Sequence, residues 1–295
     1  MTPALRGHAA MLAFSALIAG SFALGSMAAP HIAPTALNAT RFILAAVLLG
    51  SAAYIVIGIP RSAFQAPWRY LVLGGFMGFY FVMMFEALKT ASPVSAAAVF
   101  TLTPILSGFF GYVLLRQVMT ARIALALCVG GAGALWVIFK ADLGAALRFD
   151  MGRGELIFFW GCIGHAIYTP MVRKLNRGEH PMVFSFGAMV AAALLIAMAG
   201  ISDIKALEWS GLPSIVWITI FYTAVFATAV TFVLLQYAAL RLPSAKVMAY
   251  TYLTPSWVLC WQAALGHALP PLLILIGVGL TILALLLLLK NEQAA

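Results

Sequence analysis

Acidic side chains are scarce in this sequence. Asp and Glu number eight in 295 residues, and charged residues of both signs make up only 8%. A soluble domain is about a quarter charged, so a water-facing globule is excluded. Cysteine is nearly missing too: Cys128, Cys162 and Cys260 lie inside apolar runs without CxxC spacing. That excludes a disulfide framework and a thiolate metal site, and leaves three small buried apolar side chains. Neither a GxxxxGKS/GxxxxGKT phosphate loop nor an HExxH occurs, and His165, His180 and His267 lack ligand spacing with carboxylates or thiols. The reading is therefore of a protein with no metal, no cofactor and no catalytic residue.

What is present is apolar: 64% of the residues are hydrophobic and the mean hydropathy is +1.05. Runs of about 20 apolar residues, enough to cross a bilayer, fall near 9–29, 36–58, 69–89, 94–115 and 121–139. Five more fall near 156–172, 181–200, 213–239, 245–265 and 270–289. The first, with Arg6 ahead of it, resembles a secretory leader, but nine spans follow and it is read as a retained span. The expected fold is an all-α integral membrane protein of ten transmembrane helices, with both termini on one side.

The seventeen Lys and Arg residues set the orientation, because they resist translocation. Eleven fall on one side: Arg6, Arg61, Arg69, Arg116, Arg122, Arg173, Lys174, Arg177, Arg241, Lys246 and Lys290. Five fall on the other (Lys89, Lys140, Arg148, Arg153 and Lys205), and Arg41 lies within a span. The bias puts both termini in the cytoplasm, in a bacterial-type inner membrane. The net charge of +9 is spread between the spans, so it forms no patch for nucleic acid.

The chain also repeats itself. Leu102-Thr103-Pro104 returns as Leu253-Thr254-Pro255, an offset of 254 − 103 = 151. Pro34 matches Pro181 at 147, and Ala87-Leu88-Lys89 matches Ala239-Leu240-Arg241 at 152. Two units follow, 1–147 and 148–295, each of five spans; five is odd, so the second is inverted relative to the first. Pro104 and Pro255 should kink their helices and free a carbonyl in the preceding turn. Inverted repeats with broken helices around a midplane site are a transporter layout.

Several short motifs together resemble the EamA-type branch of the drug/metabolite transporter superfamily. They are Arg41-Phe42-Ile43-Leu44, Ala87-Leu88-Lys89, the two Leu-Thr-Pro sequences, Gly130, Gly131 and Gly133, and Ala239-Leu240. Within that branch the chain is most similar to YddG-type exporters of aromatic and apolar amino acids. It departs from them at Arg116-Gln117, where an acidic residue is frequent, and at Ile18-Ala19-Gly20-Ser21, where a Trp is frequent. The resemblance implies a basket of helices in which spans one, three, four, six, eight and nine enclose a central cavity.

Polar residues deep in a span face the protein interior or a wet cavity. In the ninth span Tyr250, Thr254, Trp257 and Trp261 share one helical face, which suits either an amphipathic solute or a packing seam. The sixth span offers Trp160, His165 and Tyr168, His165 being read as the only histidine well inside a span. Tyr80 lies mid-span in the third, and Phe100 and Thr103 stand beside Pro104. Substrate contacts are expected from Tyr80, Phe100, Thr103, Trp160, His165, Tyr168, Tyr250 and Thr254, with the freed carbonyls holding a polar head group. His165 and Glu86 are the candidates for proton coupling, although Glu86 can pair with Lys89 three residues on. Arg41 reads as a structural intramembrane charge, or else as a partner for a substrate carboxylate.

These features point to a secondary transporter exporting small metabolites, above all aromatic or apolar amino acids, with the lipid bilayer and the solute as partners. A transporter of nucleosides, sugars or drugs, and a membrane-embedded enzyme or packing subunit, stay open as alternatives. The oligomeric state is not encoded in any of these patterns.

Overall fold

The structure is a computed structural model and describes residues 3–118, 120–148, 151–268 and 270–289. Lys290, which enters the charge count, lies outside them. Among the described residues all regular structure is helical. The chain runs α1 (Pro3–Ala28), α2 (Pro34–Val56), α3 (Trp68–Ala87), α4 (Pro93–Phe100), α5 (Thr103–Leu115), α6 (Ala121–Ile138) and the short α7 (Leu143–Arg148). It continues through α8 (Arg153–Leu175), α9 (Pro181–Ala199), the short α10 (Ile201–Ala206), α11 (Ser214–Ala224), α12 (Thr231–Ala239), α13 (Ser244–Ala249), α14 (Thr254–Ala264) and α15 (Leu272–Leu289).

Seven segments of the described residues are long and apolar enough to cross a membrane: α1, α2, α3, α4 with α5, α6, α9, and α11 with α12. The other three expected spans correspond to α8, to α13 with α14, and to α15. α8 is long enough but carries Arg153, Glu155, Arg173 and Lys174 towards its ends, α13–α14 is broken, and α15 is apolar but short.

The helix starts follow from local chemistry. Pro34, Pro93 and Pro181 open α2, α4 and α9, where a missing N–H costs nothing because the first turn has no acceptor for it. Ser92 Oγ accepts from the Ser95 N–H, and Thr120 Oγ1 accepts from the Ile123 N–H, capping α4 and α6.

Three prolines interrupt backbone ladders, and in each case the protein satisfies the carbonyl left over. The Thr103 hydroxyl donates to Phe100 O at 2.7 Å, four residues before Pro104. The Ser107 hydroxyl donates to Ala166 O at 3.3 Å, four before Pro170 inside α8. The Thr254 N–H bonds to Thr251 O in the 3-10 turn Tyr250–Leu253, four before Pro255. The expectation that such carbonyls await a ligand is corrected here: neighbouring donors take them, as buried backbone groups require. A fourth irregularity, the π-helical turn Val225–Val230 between α11 and α12, contains no proline.

Packing pairs helices across the sequence midpoint. α2 packs on α9 and α6 on α15, α3 packs on α8 as α1 does on α11 and α12, and α5 packs on α8 as α1 does on α14. Exchanging the two halves maps each of these pairs onto another or onto itself. The seams are close. At Gly133 and Gly277, which bring α6 against α15, a Cβ would lie 2.6 Å from the other glycine's carbonyl.

Candidate functional site

Where α1, α3, α4, α8 and α12 converge, side chains from all five enclose a small internal chamber. Phe14, Ile18, Ser21 and Phe22 come from α1, Met77, Tyr80, Phe81 and Met84 from α3, Phe100 from α4, His165 from α8, and Thr231, Phe232 and Leu235 from α12. Its free volume is about 10 Å3, room for a single water, so the walls are closed on one another. The rings interlock: Tyr80 and His165 lie 4.6 Å apart by centroids, Phe100 and His165 5.2 Å, Tyr80 and Phe100 5.6 Å, and Phe22 and Phe158 5.8 Å.

Two polar atoms on this aromatic wall, Ser21 Oγ and His165 Nδ1, are buried without a hydrogen-bond partner. An unpaired buried polar group costs about 1–3 kcal/mol. A solute or water able to pair with both would relieve that cost, which is the chemical character of a binding site. Behind His165, the Tyr168 hydroxyl accepts from Gln236 Nε2 at 3.1 Å, while Gln236 Oε1 has no partner.

The structure sorts the sequence-level candidates. Tyr80, Phe100 and His165 line the chamber, and Tyr168 stands against His165 with ring centroids 6.4 Å apart. Trp160 does not join them. It is 56% exposed and lines an outer groove with Phe79, Ile163 and Ile167, because five residues at 100° each set it roughly 140° around α8 from His165. Thr103 is buried but its hydroxyl is spent on Phe100 O.

Tyr250, in the 3-10 turn, and Thr254, Trp257 and Trp261, in α14, are not among the residues that line the chamber. Tyr250 Oη lies 2.9 Å from His8 Nδ1, Trp257 Nε1 donates to Ser15 Oγ at 3.2 Å, and Trp261 packs edge-on against Tyr222. Thr254 Oγ1 is buried with no partner. His8, near the start of the first span, is a second buried histidine. Glu86 pairs with Lys89 at 2.6 Å, both partly exposed.

Arg41 is fully buried in α2. Nε and Nη2 donate to Thr228 Oγ1 at 3.0 and 2.6 Å, and Nη2 also to Ala227 O at 3.2 Å, within the π turn. Nη1 reaches only Asn38 Oδ1 at 3.4 Å, and the guanidinium sits 4.0 Å over the Phe81 ring. The resemblance placed span one at the cavity, and Phe14, Ile18, Ser21 and Phe22 recur there at helical spacing, but none of the four was among the expected substrate contacts. Nothing in Val225–Val230 announces the π turn.

Apolar helices of spanning length around a closed, partly unsatisfied chamber define a multi-pass membrane protein built to handle a small solute. The EamA-like transporter family model matches the chain twice, over residues 5–139 and 152–290. The chain belongs to the EamA-like transporter family and is a membrane transporter, in contact with the lipid bilayer and a small-molecule substrate. It is 25% identical over 279 residues to YyaM, an uncharacterized transporter of Bacillus subtilis (strain 168), covering 94% of this chain and 91% of the relative. A solved crystal structure covering 99% of both chains agrees in fold with a TM-score of 0.73 at 21% identity.

Proposed function

We propose that the protein is a secondary exporter of small metabolites, chiefly aromatic and apolar amino acids. It works by alternating access between two inverted five-helix units, 1–147 and 148–295, in a bacterial inner membrane with both termini cytoplasmic. Ten spans are counted in this reading, α8, α13–α14 and α15 included. The observation that carries it is the chamber, where aromatic rings from both halves surround Ser21 Oγ and His165 Nδ1, each lacking a partner. Aromatic walls favour an apolar or aromatic side chain, and the unpaired atoms suit its polar end. Packing that is preserved when the halves are exchanged supports rocking of one unit against the other. In this closed state the chamber has no room for such a solute, so loading requires the walls to part.

The test is transport by purified protein in vesicles, with labelled phenylalanine, leucine, a nucleoside and a sugar supplied on one side, with and without a proton gradient. Phenylalanine flux above protein-free vesicles is expected; flux of the nucleoside or sugar alone would overturn the substrate assignment.

A further inference from the structure

Arg41 stands just outside the chamber's own walls, against the Phe81 ring. Among the described residues its partners are a hydroxyl, a backbone carbonyl and a side-chain amide oxygen, never a carboxylate. A buried guanidinium without a counter-charge is costly to hold. Its Nε and Nη2 are well bonded, but Nη1 has two hydrogens and one long contact, so a donor remains to be used.

The position is not a general need of the repeat. α2 and α9 both begin at a proline, Pro34 and Pro181. The offset of 147 carries Arg41 to 41 + 147 = 188, which is Ala188, packed closely against Gly74. One unit closes this helix seam with small residues, whereas the other places a charge there.

That charge stands at the chamber wall. Phe81 has one ring that both lines the chamber and carries the guanidinium, 4.0 Å from its centroid. The described residues that line the chamber include no Asp, Glu, Lys or Arg. A cationic solute would find no counter-charge in this wall, whereas an anionic group would find a positive charge behind the Phe81 ring.

We infer that Arg41 is the anchor for a carboxylate on the transported solute, reached when the Phe81 ring swings aside, so that the substrate class is aromatic or apolar carboxylates and not the corresponding amines. This rests on the chamber being the solute site, as proposed above. The Thr228 and Ala227 contacts then hold the guanidinium in place while Nη1 turns to the ligand, a charge-assisted bond of the stronger kind.

Three phenyl compounds of similar size separate the terms: 3-phenylpropionate, 3-phenylpropanamide and phenethylamine, each titrated against the thermal unfolding of the purified protein in lipid nanodiscs. The acid should stabilise at concentrations about tenfold or more below the amide and the amine. Arg41→Gln should erase that preference and Arg41→Lys retain part of it. Gly133→Ala, at a helix seam that contributes nothing to the chamber, should lower the unfolding temperature but keep the preference, which separates anchoring from packing.

Equal stabilisation of the wild type by amine or amide, or by none of the three, overturns the inference without needing any variant to fold. So does a preference that survives in Arg41→Gln. Labelled phenylalanine flux in vesicles is the parallel arm. Flux without an advantage for the acid sinks this inference alone, whereas an acid-specific effect without flux sinks the amino-acid reading and leaves the carboxylate site standing.

Discussion

The hydroxyls of Thr103 and Thr251 meet at 3.2 Å, joining the two interrupted helices at their breaks. Thr103 Oγ1 also donates to Phe100 O, so its single hydrogen is committed and Thr251 donates to it. The two threonines therefore differ in consequence. Thr103→Val leaves the Phe100 carbonyl buried without a donor and should cost about 1–3 kcal/mol, whereas Thr251→Val loses one hydrogen bond worth about 1 kcal/mol. Thermal unfolding in one detergent should rank Thr103→Val below Thr251→Val below wild type. The opposite order would show that Phe100 O finds another donor.

The chamber and the outer groove on α8 make a matched pair of sites for mutation. Phe100→Ala removes a fully buried ring between Tyr80 and His165, and Trp160→Ala removes an exposed one of larger size. Transport per folded protein should fall about tenfold or more for Phe100→Ala, which corresponds to about 1.4 kcal/mol of lost binding or closure energy. It should change less than about twofold for Trp160→Ala. Equal losses would move the solute path to the lipid-facing side of α8.

Much of this arrangement is legible in the sequence. Scarce charge and apolar runs gave the helices, and the doubled Leu-Thr-Pro marked the two interruptions. Tyr80, Phe100 and His165 stood out as mid-span aromatic or polar residues, and they line the chamber. What failed has a physical reason in each case. Trp160 is near His165 in sequence but not on its face, since five residues at about 100° each turn it away, an angle the spacing itself contains. The stripe from Tyr250 to Trp261 marks a helical face in the sequence, but such a face does not state which neighbour it meets, and here α1 supplies His8 to Tyr250 and Ser15 to Trp257. The freed carbonyls were assigned to a ligand because Thr103 and Ser107 are ordinary helix residues until the fold brings them to Phe100 O and Ala166 O. The π turn that receives Arg41 has no sequence signature at all.

Arg69 and Glu179 form the buried ion pair that ties the start of α3 to the loop between α8 and α9, with Nη2 and Oε1 2.6 Å apart. Burial alone would raise the Glu179 pKa. Hydrogen bonds from Arg69, from the Arg177 N–H and from its own backbone N–H, with the nearby positive charge, more than reverse this and hold the carboxyl below its usual value. A folded-state pKa lower than the unfolded one gives stability that is present above the unfolded value, about 4.3 for Glu. That stability is lost as the pH falls through the lowered folded value. The wild type should therefore lose unfolding temperature between about pH 5 and the acid limit, and Glu179→Gln should start lower at neutral pH and lose less over the same range. Parallel pH profiles for the two proteins would mean that the pair is not formed in the membrane.

The seam between α6 and α15 gives the sharpest steric test. A Cβ on Gly133 would come within 2.6 Å of Gly277 O and 2.8 Å of Leu280 Cβ, and one on Gly277 within 2.6 Å of Gly133 O. Carbonyl oxygens on a helix cannot retreat without moving the backbone, so either alanine must push the two helices apart, at a cost of about 1–3 kcal/mol. Gly279 lies two residues on in α15, and a Cβ there meets nothing within 4 Å. Gly279→Ala should be neutral or slightly stabilising, because alanine restricts the unfolded chain and favours helix. Neither α6 nor α15 contributes a side chain to the chamber. The destabilised Gly133→Ala should therefore keep its apparent affinity for solute while losing unfolding temperature and yield. A change in affinity instead would show that the seam moves during the transport cycle and is not merely a static brace.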